Sequence, residues 1–405
     1  MKELSRIRMA MLAIAACAWM AVSCGDKDPA PVEPSGVVFE SDALALVVGD
    51  TVTLAVSVLP EDAVDKTVTW TSSLPAVASV QDGFVTALSA GNAIITATTV
   101  NGREGTCHLT VRPPDIYVVG NVSRANSTSS AVVWQNGVLR FLSDDQNHGN
   151  ANSVYVVGND VYAAGHYAGQ AALWRNDVQQ ILSENGSEAY SVHVAGDHVY
   201  VAGQDDGKAT LWKDGTPTVL SENSSYAYSV YVVGDDVYVA GVEFDGVGTP
   251  LLWKNGEARV LSGDLEDAEA RSVYVIGDDV YVAGTAYEGW DGMAILWKND
   301  VLQHLSEGAM DAEARSVYAT RDEVYVTGYS DNTAAVWKNG VLQALPGESQ
   351  IVKGQAVCCF NGKVYVAGND QSGPQYTGFA ILWEDGVMQK IHGTDESYAY
   401  GIFVK

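Results

Sequence analysis

The sequence has few basic residues. Its 405 residues contain 23 Lys and Arg against 50 Asp and Glu, which gives a formal net charge of −27. This excess of negative charge repels phosphate, so neither nucleic acid nor an anionic membrane surface is expected as a partner. Charged residues make up only 18% of the chain and apolar residues 47%, a balance that excludes disorder as its general state.

Cysteine is scarce as well. C-terminal to Cys24 the chain has three cysteines, Cys107, Cys358 and Cys359, which are too few for the paired framework that stabilises small exported domains. Stability must therefore come from the burial of apolar surface. Cys107 is expected to be a small core residue of a strand. Cys358 and Cys359 are adjacent and would point to opposite faces of a strand, so we expect two buried thiols, with a redox role as the alternative.

Motifs for catalysis and cofactor binding are missing. The seven histidines show no H-E-x-x-H or other paired spacing, and the chain has no G-x-S-x-G, P-loop, dinucleotide fingerprint or EF-hand loop. Asp-Asp pairs such as Asp235-Asp236 stand between predicted strands, where turns favour aspartate, so they indicate turns rather than calcium ligands. The sequence therefore predicts no catalytic residue, no cofactor and no metal.

The N-terminus carries an apolar run that has the features of a targeting segment. Residues 9–22 follow three basic residues and are too few to cross a bilayer as a permanent helix, which fits a secretory signal. The run ends in Ala-Val-Ser-Cys at residues 21–24, which resembles the lipobox of bacterial lipoproteins. The resemblance implies a signal peptide at residues 1–23 and lipidation of Cys24. An ordinary signal peptide with an incidental cysteine is the alternative.

Residues 24–36 are polar and rich in proline, which predicts a flexible tether. Gly25 follows the cysteine where aspartate would signal retention in the inner membrane. The acidic patch at residues 26–28 resembles the surface-export signal of some Gram-negative lipoproteins. We therefore expect an outer-membrane protein that contacts the membrane only through its lipid anchor and is exposed at the cell surface.

An all-β fold is expected for the rest of the chain. Residues 37–112 alternate apolar and polar side chains in short runs separated by turn signals, the pattern of a β-sandwich. Residues 48–52 (VGDTV), Trp70 before two serines, and residues 90–97 (AGNAIITA) resemble the bacterial Ig-like domain of group 2. The resemblance implies a spacer or adhesive module without catalytic residues, in which Trp70 is the core tryptophan.

Residues 115–405 repeat one unit seven times. Each unit has a strand such as VYVAG, a tryptophan, and a tight turn such as Asn-Gly, which adopts positive φ at little cost. The tryptophans, which we expect to pack between units, are Trp134, Trp174, Trp212, Trp253, Trp297, Trp337 and Trp383. A strand such as SVYVVG comes before six of the VYVAG-type strands, and the C-terminal GIFVK supplies the seventh. The pattern predicts a seven-bladed β-propeller closed by the C-terminal strand. The repeats resemble the propellers of uncharacterised bacterial surface lipoproteins, a resemblance that implies a fold and no activity.

One residue per blade is expected to surround an end of the central channel. It stands just before the first-strand serine or its equivalent, and the seven are Asn152, Tyr190, Tyr228, Arg271, Arg315, Gln355 and Tyr400. Because Tyr and Arg dominate binding hot spots, the Tyr and Arg members are predicted to contact a ligand. The alternative is that they close the channel by stacking on one another. Trp290, in a Gly-rich loop of the fifth unit, is predicted to be a stacking platform or to fold back on its own blade.

Three functions are compatible with these features. The first is a non-catalytic binding or adhesion lipoprotein whose propeller face presents Tyr, Arg and Trp to a glycan or protein ligand. The second is a glycan-active enzyme, a hydrolase or a lyase, which a convergent pair of carboxylates at the channel would indicate. The third is a structural component of a surface coat. The absence of a catalytic motif favours the first.

Replacing Cys24 by Ser should abolish lipid labelling and release the protein into the soluble fraction, because it removes the sulfur to which the lipid would be attached. Incorporation of a labelled fatty acid and fractionation of the membranes measure this. Cys17→Ser, within the predicted signal peptide, is the matched control and should keep both label and membrane association. Labelled, membrane-bound Cys24→Ser protein would contradict the lipoprotein assignment.

Overall fold

The computed structural model describes residues 30–405, except residues 126, 185, 262, 264, 290, 307–310, 372–377 and 392–395. Cys24 and Trp290 therefore lie outside the described residues. The described chain consists of strands and turns, and no helix in it has the length and hydropathy needed to cross a membrane. It divides into two compact units. One contains the residues up to Leu46 with Thr51–Val111, and the other contains Val47–Asp50 with Arg112–Lys405.

The first unit is built from nine strands. They are β1 (Gly36–Phe39), β2 (Ala43–Val47), β3 (Thr51–Thr53), β4 (Val56–Leu59), β5 (Val68–Ser72), β6 (Ala78–Gln81), β7 (Phe84–Ala87), β8 (Gly91–Thr99) and β9 (Glu104–Arg112). They pair in the orders β1-β4, β2-β9-β8-β5 and β3-β7-β6. All these pairs are antiparallel except β2-β9, which the hydrogen bonds from the His108 N–H to the Asp42 carbonyl and from the Val48 N–H to the Arg112 carbonyl show to be parallel. Buried and accessible side chains alternate along β8 and β9, and Cys107 is fully buried, as expected.

Trp70 lies at the edge of the core of this unit. Its side chain is only partly buried, and its ring packs edge-on against Phe39 with the centroids 5.7 Å apart. The fully buried positions of this unit are held by smaller side chains such as Ile95 and Leu109. Trp70 thus packs on the core while keeping part of its surface accessible, because an alternating strand pattern shows which face a residue is on and not how deeply that face is covered.

The second unit consists of seven four-stranded antiparallel sheets, here called blades 1 to 7 in chain order. The inner strands of blades 2 to 7 and then of blade 1 are β13 (Gly149–Val157), β17 (Glu188–Ala195), β21 (Ser225–Val233), β25 (Ala268–Ile276), β29 (Ala312–Ala319), β33 (Val352–Phe360) and β37 (Ser397–Val404). The second strands of blades 1 to 7 are β10 (Ile116–Ser123), β14 (Asp160–Tyr167), β18 (His198–Asp205), β22 (Asp236–Phe244), β26 (Asp279–Glu288), β30 (Val324–Ser330) and β34 (Lys363–Asp370).

The remaining strands lie further from the axis. The third strands are β11 (Ser129–Gln135), β15 (Gln170–Arg175), β19 (Lys208–Lys213), β23 (Gly248–Lys254), β27 (Asp291–Lys298), β31 (Thr333–Lys338) and β35 (Phe379–Glu384). The outer strands are β12 (Val138–Phe141), β16 (Val178–Ser183), β20 (Thr216–Val219), β24 (Glu257–Val260), β28 (Val301–His304), β32 (Val341–Ala344) and β36 (Val387–Lys390). Each outer edge is short, which limits edge-to-edge pairing with other chains.

The ring is closed by the C-terminal strand. β37 pairs with β10 from Ile116↔Val404 to Val122↔Ser397, so the last strand completes blade 1. Each inner strand contacts the inner strands of both neighbouring blades, and β37 contacts β13 and β33. These contacts confirm the predicted seven-bladed β-propeller and its mode of closure.

Tryptophan packing and turn chemistry hold each blade in place. All seven repeated tryptophans are fully buried, and Trp174 of blade 2 packs in one cluster with Tyr117 and Val133 of blade 1, which confirms packing between blades. The turn between third and outer strands begins in every blade with an Asn or Asp at a φ of 47–53°. Its side-chain oxygen also accepts a hydrogen bond from a backbone N–H near the start of the second strand, as in Val237 N–H to Asn255 Oδ1 at 2.8 Å.

Serine links the inner strands of neighbouring blades. Ser153 Oγ accepts a hydrogen bond from the Val192 N–H at 3.1 Å, and equivalent bonds of 3.1–3.2 Å join each blade to the next as far as blade 7. Blades 7 and 1 have Ala356 and Gly401 at this position, so neither junction of blade 1 can form this bond. Other contacts cross these two junctions. Asn369 Oδ1 of blade 7 accepts a hydrogen bond from the Ala399 N–H of blade 1 at 2.7 Å, and Asn121 Nδ2 of blade 1 donates to Asn150 Oδ1 of blade 2 at 3.2 Å.

Deleting residues 401–405 should open the ring at blade 1, because it removes the partner of β10 from Ile116 to Val119 and exposes a strand edge. We expect aggregation or loss of the cooperative thermal transition, measured by size-exclusion chromatography and circular dichroism. Deleting Lys405 alone keeps the ladder from Ile116↔Val404 onward and is the matched control. An unchanged melting curve for the longer deletion would show that the strand does not seal the ring.

Candidate functional site

Every inner strand carries a β-bulge at the same place. In blade 4, Ala227 pairs with Gly241 and Ser229 with Ala240, so Tyr228 is an extra residue that has no partner on the second strand. The equivalent extra residues of all seven blades, here called the bulge ring, are Asn152, Tyr190, Tyr228, Arg271, Arg315, Gln355 and Tyr400. They are the seven residues that the sequence predicts around one end of the channel, here called the mouth.

A glycine on the second strand makes each bulge possible. A Cβ atom on Gly241 would lie 1.9 Å from the Tyr226 carbonyl oxygen, and the equivalent glycines of the other blades show the same contact at 1.7–2.3 Å. No side chain fits at such a distance. The repeated Gly of VYVAG is therefore required by the close approach of the bulged strand.

A second tier of side chains lies two residues before the bulge ring, and its tyrosine, asparagine and lysine members were missed by the sequence analysis. In each blade a buried Ala or Gly separates the two positions, as in Tyr226-Ala227-Tyr228 and Glu313-Ala314-Arg315. Residues two apart on a strand share a face, so both positions line the mouth. The sequence signal that could have identified this tier is the repeated triplet x-Ala-x, in which variable residues stand on both sides of an alanine. The second tier consists of Asn150, Glu188, Tyr226, Glu269, Glu313, Lys353 and Tyr398.

Blades 3 and 4 contribute an aromatic arc of Tyr190, Tyr226 and Tyr228. Tyr226 and Tyr228 stack with an interplanar angle of 2° and centroids 5.7 Å apart, and Tyr190 lies 5.5 Å from Tyr228. Phe244 packs edge-on against Tyr226 at 5.9 Å. Burial raises the pKa of Tyr190 and of Tyr228, so both hydroxyls stay protonated. The arc is an ordered, neutral set of rings.

Blades 5 to 7 contribute a cationic arc of Arg271, Arg315 and Lys353. Arg271 pairs with Glu269 at 2.6 Å, and its guanidinium carbon lies 4.8 Å from the Tyr228 ring centroid. Arg315 donates to Glu313 at 2.9 Å and to Gln355 Oε1 at 2.7 Å. The Lys353 ammonium lies over the ring of Tyr329, 3.9 Å from the centroid.

The two carboxylates of this arc have opposite pKa shifts. Burial raises the pKa of Glu269, and the charge of Arg271 only partly offsets it. Burial also acts to raise the pKa of Glu313, but the charges of Arg315 and Arg271 outweigh it and the net shift is downward. Such a divergence is what an acid and a base on neighbouring elements require, although each carboxylate here is also the ion-pair partner of an arginine.

Amides dominate the remaining part of the mouth. Asn152 donates through Nδ2 to Glu188 at 3.0 Å and to the Ala189 carbonyl at 2.9 Å, which joins blades 2 and 3. Asn150 donates to Asn152 at 2.6 Å. The rings of Tyr400 and Tyr398 stack with an interplanar angle of 18° and centroids 6.5 Å apart. Burial raises the pKa of Tyr400. The amide side chains can exchange hydrogen bonds with a polar ligand.

An aromatic plug crosses the channel further along the inner strands. Its members are Tyr155, His193, Tyr231, Tyr274, Tyr318, Cys358 and Phe403, one from each blade. Ring centroids of neighbouring aromatic members from Phe403 to Tyr318 lie 4.6–5.0 Å apart. Cys358 stands where four blades have tyrosine, and burial raises the pKa of its thiol, which keeps it protonated. Cys358 and Cys359 are free cysteines, and as whole residues both are of intermediate exposure.

Other parts of the propeller are less suited to binding. A groove of about 920 Å³ lies between blades 4 and 5 at the opposite end of the strands. Its charged side chains pair with each other, as in Lys254–Asp236 at 2.8 Å, and similar pairs recur in other blades. Among the described residues there is no group of three or more His, Cys, Asp or Glu that could hold a metal ion. The mouth is therefore the candidate site.

His193 makes the plug sensitive to acid. Burial among aromatic rings lowers its pKa to about 4 from the ordinary 6.5, so folding favours the neutral ring. Its contribution to stability is complete above pH 6.5 and is lost as the pH falls towards 4. Wild type should lose about 3 kcal/mol more than His193→Tyr across this window, measured as the free energy of unfolding in urea. His108→Tyr controls for the same change at an exposed position. Equal pH profiles for wild type and His193→Tyr would show that His193 is not held neutral.

Residues 35–108 match the family model of the bacterial Ig-like domain (group 2), which confirms the resemblance of that segment. An alpha-L-arabinofuranosidase of Bifidobacterium longum is 44% identical over 87 residues, 21% of this chain and 8% of that protein. A lacto-N-biosidase of Bifidobacterium bifidum is 42% identical over 85 residues, 20% of this chain and 8% of that protein. The chain thus spans less than a tenth of these relatives, and the matches fall on the Ig-like segment.

Solved structures resemble the propeller at low identity. The β-propeller domain of the trilobed protease from Pyrococcus furiosus is 12% identical, with a TM-score of 0.44, and covers 75% of this chain and 96% of its own. TolB from Acinetobacter baumannii is 11% identical, with a TM-score of 0.39, and the match covers 79% of this chain and 77% of TolB. At this identity the likeness concerns the fold alone. The chain combines a bacterial Ig-like domain of group 2 with a seven-bladed β-propeller.

Proposed function

We propose that this chain is a non-catalytic binding lipoprotein of the cell surface that holds a carbohydrate at the propeller mouth. The observation that carries the proposal is the aromatic arc of Tyr190, Tyr226 and Tyr228, whose rings are ordered by contacts with one another. Rings held in place before binding offer flat apolar faces to the C–H faces of a sugar and lose little conformational freedom on binding.

The polar groups of the mouth support the same ligand class. Asn152 lies beside the aromatic arc on the bulge ring, and Arg315 and Gln355 lie on blades 6 and 7 of the same ring. All three side chains can form hydrogen bonds with hydroxyl groups. Sites for small ligands combine apolar rings with a few placed polar groups, whereas a specific protein interface buries about 800 Å² on each partner. A carbohydrate is therefore favoured, and a protein ligand is the outcome to test against it.

The relatives of the Ig-like segment support a carbohydrate ligand, and the N-terminal sequence supports a location at the cell surface. The Bifidobacterium proteins that match the Ig-like segment are named as glycosidases, so this type of segment occurs in proteins that act on carbohydrates. Cys24 and the tether at residues 24–36 fit a lipid anchor in the outer membrane with the folded part at the surface. In this proposal the Ig-like unit is a spacer or adhesive module.

A glycan-active enzyme is the second candidate. The observation that favours it is the pair Glu269 and Glu313, which stand on neighbouring blades at the mouth and have opposite pKa shifts. Both are held by arginines, which argues for a positioning role of these carboxylates. Incubation of the protein with each bound oligosaccharide, followed by mass spectrometry, separates the two candidates. A cleaved product whose formation requires Glu269 would establish the enzyme.

Tyr228→Ala should weaken the binding of oligosaccharides by more than fivefold, because a residue that contributes to an interface accounts for more than about 1 kcal/mol. A glycan array followed by calorimetry measures this. Tyr228→Phe keeps the ring and should retain the stacking contribution, and Trp290→Ala tests the loop platform in the same assay. Phe84→Ala removes an exposed aromatic of the Ig-like unit and is the matched control. No oligosaccharide bound by the wild type, together with binding of a protein at the mouth, would overturn the proposal.

A further inference from the structure

The cationic arc holds a positive charge that the protein does not neutralise. The Lys353 ammonium lies over the face of Tyr329 and makes no ion pair with any described residue. Six of the other eight lysines of the propeller pair with carboxylates, as Lys254, Lys298, Lys338 and Lys390 show at 2.6–2.8 Å. A half-buried ammonium without a carboxylate partner is unusual in a chain with a net charge of −27.

The neighbours of Lys353 increase this imbalance. Arg315 is close enough to lower the pKa of Lys353, after burial, which is the larger cause. The carboxylates that act in the opposite direction are Glu313 and Asp311, and Glu313 is already bound to Arg315 through contacts of 2.9 and 2.8 Å. Lys353 therefore lies in the field of Arg315 while Glu313 is committed to Arg315, and Asp311 acts on Lys353 without forming an ion pair with it. An external anion would relieve the repulsion between the two cations.

We infer, on the basis of the proposed function, that the carbohydrate bound at the mouth is acidic and that its anionic group binds beside Lys353 and Arg315. The anionic group is a carboxylate or a sulfate on the sugar. Arginine matches the planar geometry of a carboxylate and lysine acts as a compact charge, so the pair suits either group.

The residues around this position orient the sugar. The Gln355 amide oxygen accepts from Arg315, which turns the amide NH₂ group away from the guanidinium and leaves it as a donor. Arg271 is the member of the cationic arc next to the aromatic arc, and its guanidinium covers the ring of Tyr228. A bound acidic sugar would therefore place its charge on blades 6 and 7 and a neighbouring sugar ring on the aromatic arc of blades 3 and 4.

The test uses the purified protein on a glycan array that contains matched neutral, uronate-containing, methyl-esterified and sulfated oligosaccharides. Methyl esterification removes the charge of a uronate without changing the sugar or its linkage. We expect at least tenfold tighter binding of an acidic member than of its neutral counterpart at low salt, with a smaller ratio at high salt because salt screens exposed charges. The uronate and sulfate arms identify which anion is bound.

Substitutions at the cationic arc locate the anion. Lys353→Met should lower the ratio of acidic to neutral binding by about tenfold. Lys363→Met, on the same blade but at the opposite end of its second strand, removes the same charge and is the matched control. Arg315→Lys keeps the counter-charge for Glu313 and should weaken uronate binding more than sulfate binding, because it loses the planar fork. Lys353→Gln replaces Lys353→Met if the latter has a lower melting temperature.

The outcomes separate this inference from the function on which it rests. Equal binding of acidic and neutral members, or a Lys353→Met protein with an unchanged acidic preference, would overturn the inference and leave carbohydrate binding intact. An array with no bound member would overturn the proposed function, and the inference with it. An acidic preference that Lys353→Met and Arg315→Lys both reduce, and Lys363→Met does not, would establish the site.

Discussion

The contact between a second-strand glycine and the carbonyl of its inner strand is the constraint on which the mouth depends. The absence of a Cβ atom at Gly165 or Gly241 lets the inner strand approach closely enough to hold an extra residue. Beyond the bulge, the strand resumes its alternation with a serine that links most blades to the next and a side chain that joins the aromatic plug. One steric requirement, repeated seven times, thus sets the bulge ring, the links between blades and the closure of the channel.

The same constraint explains why the seven copies of the repeat differ where they do. The glycine and the small residue before the bulge are fixed by backbone contacts, and the tryptophans are fixed by packing between blades. The bulged side chain has no partner on the second strand, so its identity is free to change from Asn152 to Tyr228 to Arg271 without disturbing the ladder. The side chains that vary between blades thus lie together at the mouth, on a backbone that is the same in every blade. This arrangement is expected of a binding surface on a structural scaffold.

Much of the fold follows from the sequence alone, because the same residues recur at regular intervals along the propeller and the number of blades can be counted from them. The seven tryptophans, the tight turns and the GIFVK strand were enough to predict the number of blades and the way the ring closes. The bulges were not predicted, since an extra residue breaks the alternation on which strand patterns depend. Lys353 and Tyr226 were missed for a related reason. Outside blades 5 and 6, only the residue beside the serine was considered, and the residue on the other side of the alanine or glycine was overlooked.

The pKa shifts of the carboxylates at the mouth cannot be predicted from the residues next to them in the sequence. The octapeptide DAEARSVY occurs at residues 267–274 and again at 311–318, so Glu269 and Glu313 have identical neighbours in the chain. Their pKa values nevertheless shift in opposite directions, because Glu313 lies in the field of Arg271 from the preceding blade as well as Arg315 of its own. Glu269 has one such arginine and also feels the charge of Glu313. The character of each carboxylate is therefore set by its place in the ring. A change in one bulged residue alters the chemistry of the blade next to it, which is how a repeated scaffold can acquire a site with distinct aromatic, cationic and amide parts.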